Sequence, residues 1–226
     1  MTDRRGQARE RIIRAAERSL VEHGYAGTTA RSIAAAGGFA PGFIYYHFAD
    51  LDELLVAVAV HSSGERVARY RAEVTGVAGA VDLVRRLRLL YDEDVASGHL
   101  EVVQELMSAA RPGSPLAAAL AAQTREWEAL GEQVITELLP GTALARLFAV
   151  PVLARAVVAY YLGMQTLTYL DGDTGRPEAA FRQAVRLAAA FDRLPRSRRR
   201  ARGPAPASGM APPTAHPADA RVRGTS

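Results

Sequence analysis

The chain has 226 residues with 28 basic and 24 acidic side chains and no cysteine, which excludes disulfides, thiolate nucleophiles and thiolate metal sites. Its charge is unevenly spread: residues 195–226 hold seven Arg against one Asp, leaving 21 Arg against 23 acidic groups in residues 1–194. The high pI therefore belongs to the tail and carries no argument for nucleic-acid binding by the rest.

Ala, Leu, Arg and Glu dominate residues 1–194 and strand-like runs are few, so an all-helical fold is expected. A polar, basic start without a signal peptide, and no uninterrupted apolar run of spanning length, point to a soluble cytoplasmic protein without a membrane partner.

The first helix is expected from Arg5 or Ala8 to Val21, with Ile12, Ile13, Ala16 and Leu20 as its apolar stripe. Gly24 sits where a left-handed cap would end it. Thr28 or Thr29 then starts a short helix whose buried face is Ala30, Ile33 and Ala34, and Gly37-Gly38 stops it. Phe39 plugs the space between helices. A third helix begins near Ala40-Pro41, with Pro41 at a position that has no intrahelical N–H bond to lose. Ile44 and Phe48, four apart, face inward, while Tyr45 and His47 project toward solvent or a partner. Asp50 caps a fourth helix from Leu51 toward Ala72, and Ala49-Asp50 is a short hinge.

Further helices are expected near 77–96, 99–110, 115–139, 150–170 and 175–194, separated by Gly- and Pro-rich turns. From 195 the chain is Arg, Pro, Ala and Gly with almost no large apolar residue, and disorder is expected. The division is 1–50, a helix-turn-helix reader; 51–194, a helical ligand-binding and dimerisation domain; and 195–226, the basic tail.

A duplex reader must hold phosphates for register and bring a few side chains to base edges. One exposed helix of about two turns, braced by another, satisfies this. Arg31 can reach a base edge or a phosphate, and Thr28 or Thr29 can offer a hydroxyl and a helix N-terminus to a phosphate. Phe43 can press on a thymine methyl, with Tyr45, Tyr46 and His47 supplying polar groups. Arg4, Arg5 and Arg9 are further phosphate candidates.

The run Thr28-Thr29, Ile33-Ala34, Gly38-Phe39, Gly42, Ile44-Tyr45, His47-Phe48 and Glu53-Leu54 resembles the TetR family of transcriptional regulators over about 50 residues. The resemblance implies a three-helix reader, a larger helical domain that binds a ligand and dimerises, and repression of transcription. It also implies DNA contacts from Thr29, Arg31, Pro41, Gly42, Phe43, Tyr45 and His47. The chain departs from the family at Ala40, where a Ser is common, at Leu51, where a Lys is common, and at Gly37, where an Ala is common.

In the C-terminal half, Asp171 and Asp173 resemble the start of a calcium loop whose remaining ligands are missing, so a capped turn is expected there. No catalytic site, cofactor or metal is expected, and His61 and His99 are assigned nonmetal roles. Tyr91, Met107, Trp127, Tyr160 and Met164 are the candidate lining of an effector site for an apolar or aromatic small molecule. By resemblance the last two helices form a homodimer interface, with Val157, Tyr161, Leu167, Leu187 and Phe191 as candidates. The function expected is a ligand-responsive repressor that binds a palindromic operator as a homodimer. The alternative is an all-helical architectural protein that holds nucleic acid nonspecifically through its tail.

Overall fold

The computed structural model describes residues 2–139 and 149–193. The tail expected from residue 195 and the Pro140-Gly141 turn lie outside them. Nine helices and no strand occur among the described residues: α1 (Thr2–Gly27), α2 (Ala30–Gly37), α3 (Gly42–His47), α4 (Leu51–Val74), α5 (Ala80–Ala96), α6 (His99–Ala109), α7 (Pro115–Leu138), α8 (Val150–Asp171) and α9 (Gly175–Asp192). The all-helical expectation holds, with ends set by the residues that punctuate the chain. Ser114 Oγ accepts from Ala117 N at 3.1 Å to start α7, and Gly172 (φ 68°) ends α8 in the left-handed region open to glycine. Gly24 (φ 65°, ψ 179°) kinks α1 rather than ending it, and helical backbone resumes as far as Gly27.

Ile12, Ile13, Ala15, Ala16 and Leu20 of α1 pack against Ile33, Ile44 and Phe48 to make the three-helix core. That core runs on without a break into Leu54, Leu55, Val58 and Ala59 of α4, then Val102 and Leu106 of α6 and Leu116 of α7. Packing is therefore continuous across residue 50. Ala49-Asp50 is also tied on both sides: Asp50 Oδ1 accepts from Glu53 N at 2.7 Å, and Glu53 Oε2 accepts from Ala49 N at 2.7 Å. The expected loose hinge is a stapled corner. Leu51, which stands where the family often has Lys, packs against the same core.

The body is layered around α4, which lies on α7, with α7 on α8 and α5 on α9. Tyr70, Val74, Leu90 and Leu130 form its second core, with Trp127 beside them. Gly79 provides no cap for α5, and Asp192 at the end of α9 accepts from Ala80 N at 2.9 Å and Val81 N at 3.1 Å instead. α6 is the strut between reader and body: Glu105 accepts from Tyr25 N at 2.6 Å just past the kink and from the Tyr169 hydroxyl of α8. By length and composition α8 is apolar enough to cross a membrane, yet it lies along α7, with Arg155 near Glu128 at 3.7 Å.

Candidate nucleic-acid interface

The two threonines divide their roles. Thr29 Oγ1 accepts from Ser32 N at 3.2 Å while Ser32 Oγ accepts from Thr29 N at 2.8 Å, a reciprocal cap that leaves the N-terminus of α2 outward. Thr28 turns inward and donates to Gly24 O at 2.7 Å. Arg31 is exposed and makes no ion pair among the described residues. Gly38 (φ 64°, ψ 44°) closes α2 in the left-handed region. Gly37 is required for a different reason: a Cβ there would lie 2.0 Å from the Phe39 ring, so glycine makes room for the plug.

α3 has no side-chain cap, as Ala40 implied, and starts from Pro41 already in helical conformation (φ −54°, ψ −35°). Ile44 and Phe48 are fully buried, and this inward grip turns Tyr45 and Tyr46 out, 53% and 79% exposed. Pro41 and Gly42 are exposed beside them. Phe43 is half-buried, 5.4 Å from the Phe39 ring and 5.0 Å from His47. His47 does not project as expected; it is only 7% exposed. The Phe43 and Tyr46 rings meet it edge-on at 5.0 and 5.1 Å. Desolvation, and then the positive charges of Arg5 and Arg9, lower its pKa. Its neighbours cover the imidazole because residues 43 and 47 share one face of so short a helix.

The arginines of α1 brace the reader. Arg9 donates to His47 O, stacks over the Phe48 ring at 3.9 Å and reaches Glu53 at 3.4 Å. Arg11 donates to Gly37 O at 2.9 Å and Gly38 O at 3.1 Å, and Arg18 donates to Ala36 O at 2.9 Å. Each cation satisfies carbonyls at a helix C-terminus, where positive charge is favoured. Arg9 is thus occupied within the protein, whereas Arg4 and Arg5 are exposed. Sequence reasoning placed these arginines off the apolar stripe and missed their role.

In the body, Tyr91 and Met164 are buried and Trp127 is half-buried. Trp127 meets Tyr70 edge-on at 4.9 Å and donates from Nε1 to Ser63 Oγ at 3.1 Å. Met107 and Tyr160 are exposed, so neither lines an interior site as expected. Tyr161 takes the place of Tyr160: it hydrogen-bonds the Tyr70 hydroxyl, its ring stands 6.4 Å from Tyr91, and burial pushes its pKa strongly upward. Tyr161 therefore belongs to the interior and not to the expected dimer surface. Val157, Leu167 and Leu187 are exposed and Phe191 is half-buried. Tyr160 joins that outer face, along with Val152 and Leu170.

Around Tyr161 lies a polar interior that sequence reasoning missed. Arg66 and Asp94 form a buried ion pair, and Tyr70 donates to Asp94 Oδ2 at 2.9 Å. His99 meets Ser62 Oγ at 2.8 Å, with burial first and Arg66 second pulling its pKa down to about 3. A signal was present, since Arg66 lies on the stripe Val58, Ser62, Arg66, Tyr70, Val74 at four-residue spacing and Asp94 follows Leu87, Leu90 and Tyr91. Charges of opposite sign on two inward stripes require each other.

Glu10, His61 and Glu65 bring possible ligand atoms within 4.8 Å of one another between α1 and α4. Arg14 already occupies this group, 2.9 Å from Glu10 and 3.0 Å from Glu65. The Asp171–Gly175 turn is held by its own groups, as expected. Asp171 accepts from Arg176 at 2.6 and 3.1 Å and from Asp173 N at 3.0 Å, which pull its pKa down to about 2.

Residues 12–58 match the sequence model described as bacterial regulatory proteins, tetR family. The HTH-type transcriptional repressor AcnR of Corynebacterium glutamicum is 37% identical over 83 residues, 37% of this chain and 42% of the repressor, so the aligned stretch spans less than half of that relative. Similar solved structures extend over both halves. The multidrug binding protein EbrR, complexed with imidazole, is 28% identical with a TM-score of 0.56, covering 83% of this chain and 94% of that one. The transcriptional regulator FadR of Bacillus subtilis, in complex with stearoyl-CoA, has a TM-score of 0.64 at 18% identity, covering 80% and 98%. With the motif, the three-helix geometry and the fold in agreement, the chain belongs to the TetR family of bacterial transcriptional regulators.

Proposed function

We propose that the protein is a ligand-responsive repressor that binds a palindromic DNA operator as a homodimer. The observation that carries this reading is the exposure of Tyr45 and Tyr46 on a helix whose other side is locked by Ile44 and Phe48. Two large aromatics held in solvent by a rigid support suit a partner surface, and a two-turn helix fits a major groove. Around them Thr29 at the N-terminus of α2, Arg31, Pro41 and Gly42 supply phosphate and groove contacts, with Phe43 at the edge. Thr28 and His47 act by holding the helix ends.

One reader covers few base pairs, and two related by a twofold axis read an inverted repeat with fixed spacing. Val152, Val157, Tyr160, Leu167, Leu170 and Leu187 supply a broad apolar face for that pairing. Effector binding among α4 to α8 shifts α4 and α6. Both grip the reader, through Glu53 with Arg9 and Glu105 with Tyr25, so the shift alters the separation of the two readers and lowers operator affinity. That fold neighbours are described as binding stearoyl-CoA and multiple drugs supports a small molecule in this layer.

Selection of bound duplexes from a random pool by the full chain at defined salt tests the reading. A reproducible inverted repeat is the expected product. Featureless enrichment that disappears when residues 195–226 are removed would favour nonspecific binding through the tail, whose seven arginines are the one feature supporting that alternative.

A further inference from the structure

The interior around Arg66 contains more hydrogen-bonding capacity than the protein uses. Arg66, on α4, directs its charge to Asp94 of α5, while its Nε has no partner. Gln165 of α8 is only 5% exposed, and its Nε2 makes no hydrogen bond although the carboxamide faces the Tyr91 hydroxyl. Both orphaned groups are N–H donors, and leaving such donors dry costs about 1–3 kcal/mol each. The acceptors nearby are largely engaged: Tyr161 donates to Tyr70, Tyr70 donates to Asp94, and Gln104 Oε1 accepts from Thr166 at 3.2 Å. Glu101, half-buried near Tyr91, is the exception, with Oε2 unpartnered.

Aromatic faces stand around these donors. Trp127 meets Tyr70, Tyr161 meets Tyr91, and Phe181 of α9 lies 5.4 Å from Tyr91 with Arg88 over it at 5.3 Å. The charges balance in pairs, Arg66 with Asp94 and Arg88 with Asp92 at 2.9 Å, and the desolvated His99 is neutral. A cationic guest would face Arg66 and Arg88, and an anionic guest would face Asp94 and Glu101. Either would carry an uncompensated charge into a buried site.

The geometry points to the Arg66–Gln165 cluster as the anchor of the effector site, and to an effector that is a flat, uncharged aromatic molecule with a carbonyl oxygen accepting from Gln165 Nε2 or Arg66 Nε. This deepens the effector role proposed above and rests on it. It also refines the expectation of a merely apolar guest, because the donors select for an acceptor.

Trp127 is the chain's only tryptophan, so quenching of its fluorescence in the full chain at pH 7 reports occupancy beside Tyr70. Four probes of one shape separate the possibilities: 2-acetylnaphthalene, 2-ethylnaphthalene, 2-naphthoate and 2-naphthylmethylammonium. The ketone is expected to bind roughly fivefold more tightly than the hydrocarbon, the worth of one net hydrogen bond, and both ions more weakly than the ketone. Gln165→Leu should reduce the ketone's advantage to within about twofold while the hydrocarbon binds as before. Arg66→Lys, which keeps a cation beside Asp94 and removes Nε, gives a second reading of the same ratio if the leucine variant does not fold. Tightest binding by either ion, a ketone advantage unchanged in both variants, or absence of quenching by all four probes would overturn the proposal. Duplex selection is scored separately, so its failure would remove the regulator while leaving the ketone preference standing.

Discussion

Replacing Arg9 with Met separates a structural arginine from a DNA-contacting one. In the structure the guanidinium donates to His47 O at the end of α3, covers Phe48 at 3.9 Å and approaches Glu53 at 3.4 Å. A hydrogen bond from a charged donor contributes about 1.5–3 kcal/mol, an exposed cation–π contact about 0.5–1, and a half-exposed ion pair at most about 1. The three share one side chain and do not add, and Met restores some apolar cover on Phe48, so a loss of about 2 kcal/mol is expected. For a chain of this size that lowers the unfolding midpoint by roughly 4–8 °C. Thermal unfolding followed by circular dichroism reads this directly. Arg9→Lys, which keeps the charge without the planar fork, should recover less than half of the loss. The reasoning fails if Arg9→Met unfolds with the wild-type midpoint while the slope of log affinity against log salt becomes shallower by about 0.9, the mark of one lost phosphate contact.

Gly37→Ala places a methyl 2.0 Å from the Phe39 ring; overpacking of this kind costs about 1–3 kcal/mol, and an unchanged urea midpoint would show that the ring moves freely. His99 is held neutral with its pKa near 3, so the unfolded chain takes up the proton first, and stability present above about pH 6.5 is lost as pH falls toward 3. Glu17, whose pKa burial raises, acts in the opposite direction. His99→Asn should therefore flatten the fall in urea midpoint between pH 7 and 5, and an unaltered slope would remove His99 as its source. Tyr160→Glu should dissociate the dimer in sedimentation velocity, whereas Tyr161→Phe should leave it intact; the reverse pattern would return Tyr161 to the interface.

Helix ends were legible because they are local events. Asp50, Ser114, Gly38 and Gly172 each act within one turn, and the expected and observed ends at these caps agree closely. The inward role of Ile44 and Phe48 was legible from their spacing. His47 was not, because a six-residue helix has too little surface to define a clear outer face, and Phe43 and Tyr46 close over it. Tyr160 and Tyr161 exchanged roles because α8 is apolar on most sides, and periodicity there cannot distinguish two neighbours about 100° apart. The arginine struts and the Arg66–Asp94 pair depend on partners 18 to 38 positions away. Such pairings arise from tertiary packing and leave only a charge in an unexpected place as a trace.

The central claim, that α3 enters the groove through its outward tyrosines, is tested most directly by one ratio: affinity for the recovered inverted repeat over affinity for a scrambled duplex, at fixed salt. In the Tyr45→Ala, Tyr46→Ala double variant this ratio should collapse toward one while the unfolding midpoint stays at the wild-type value. A ratio preserved in that variant would contradict the account.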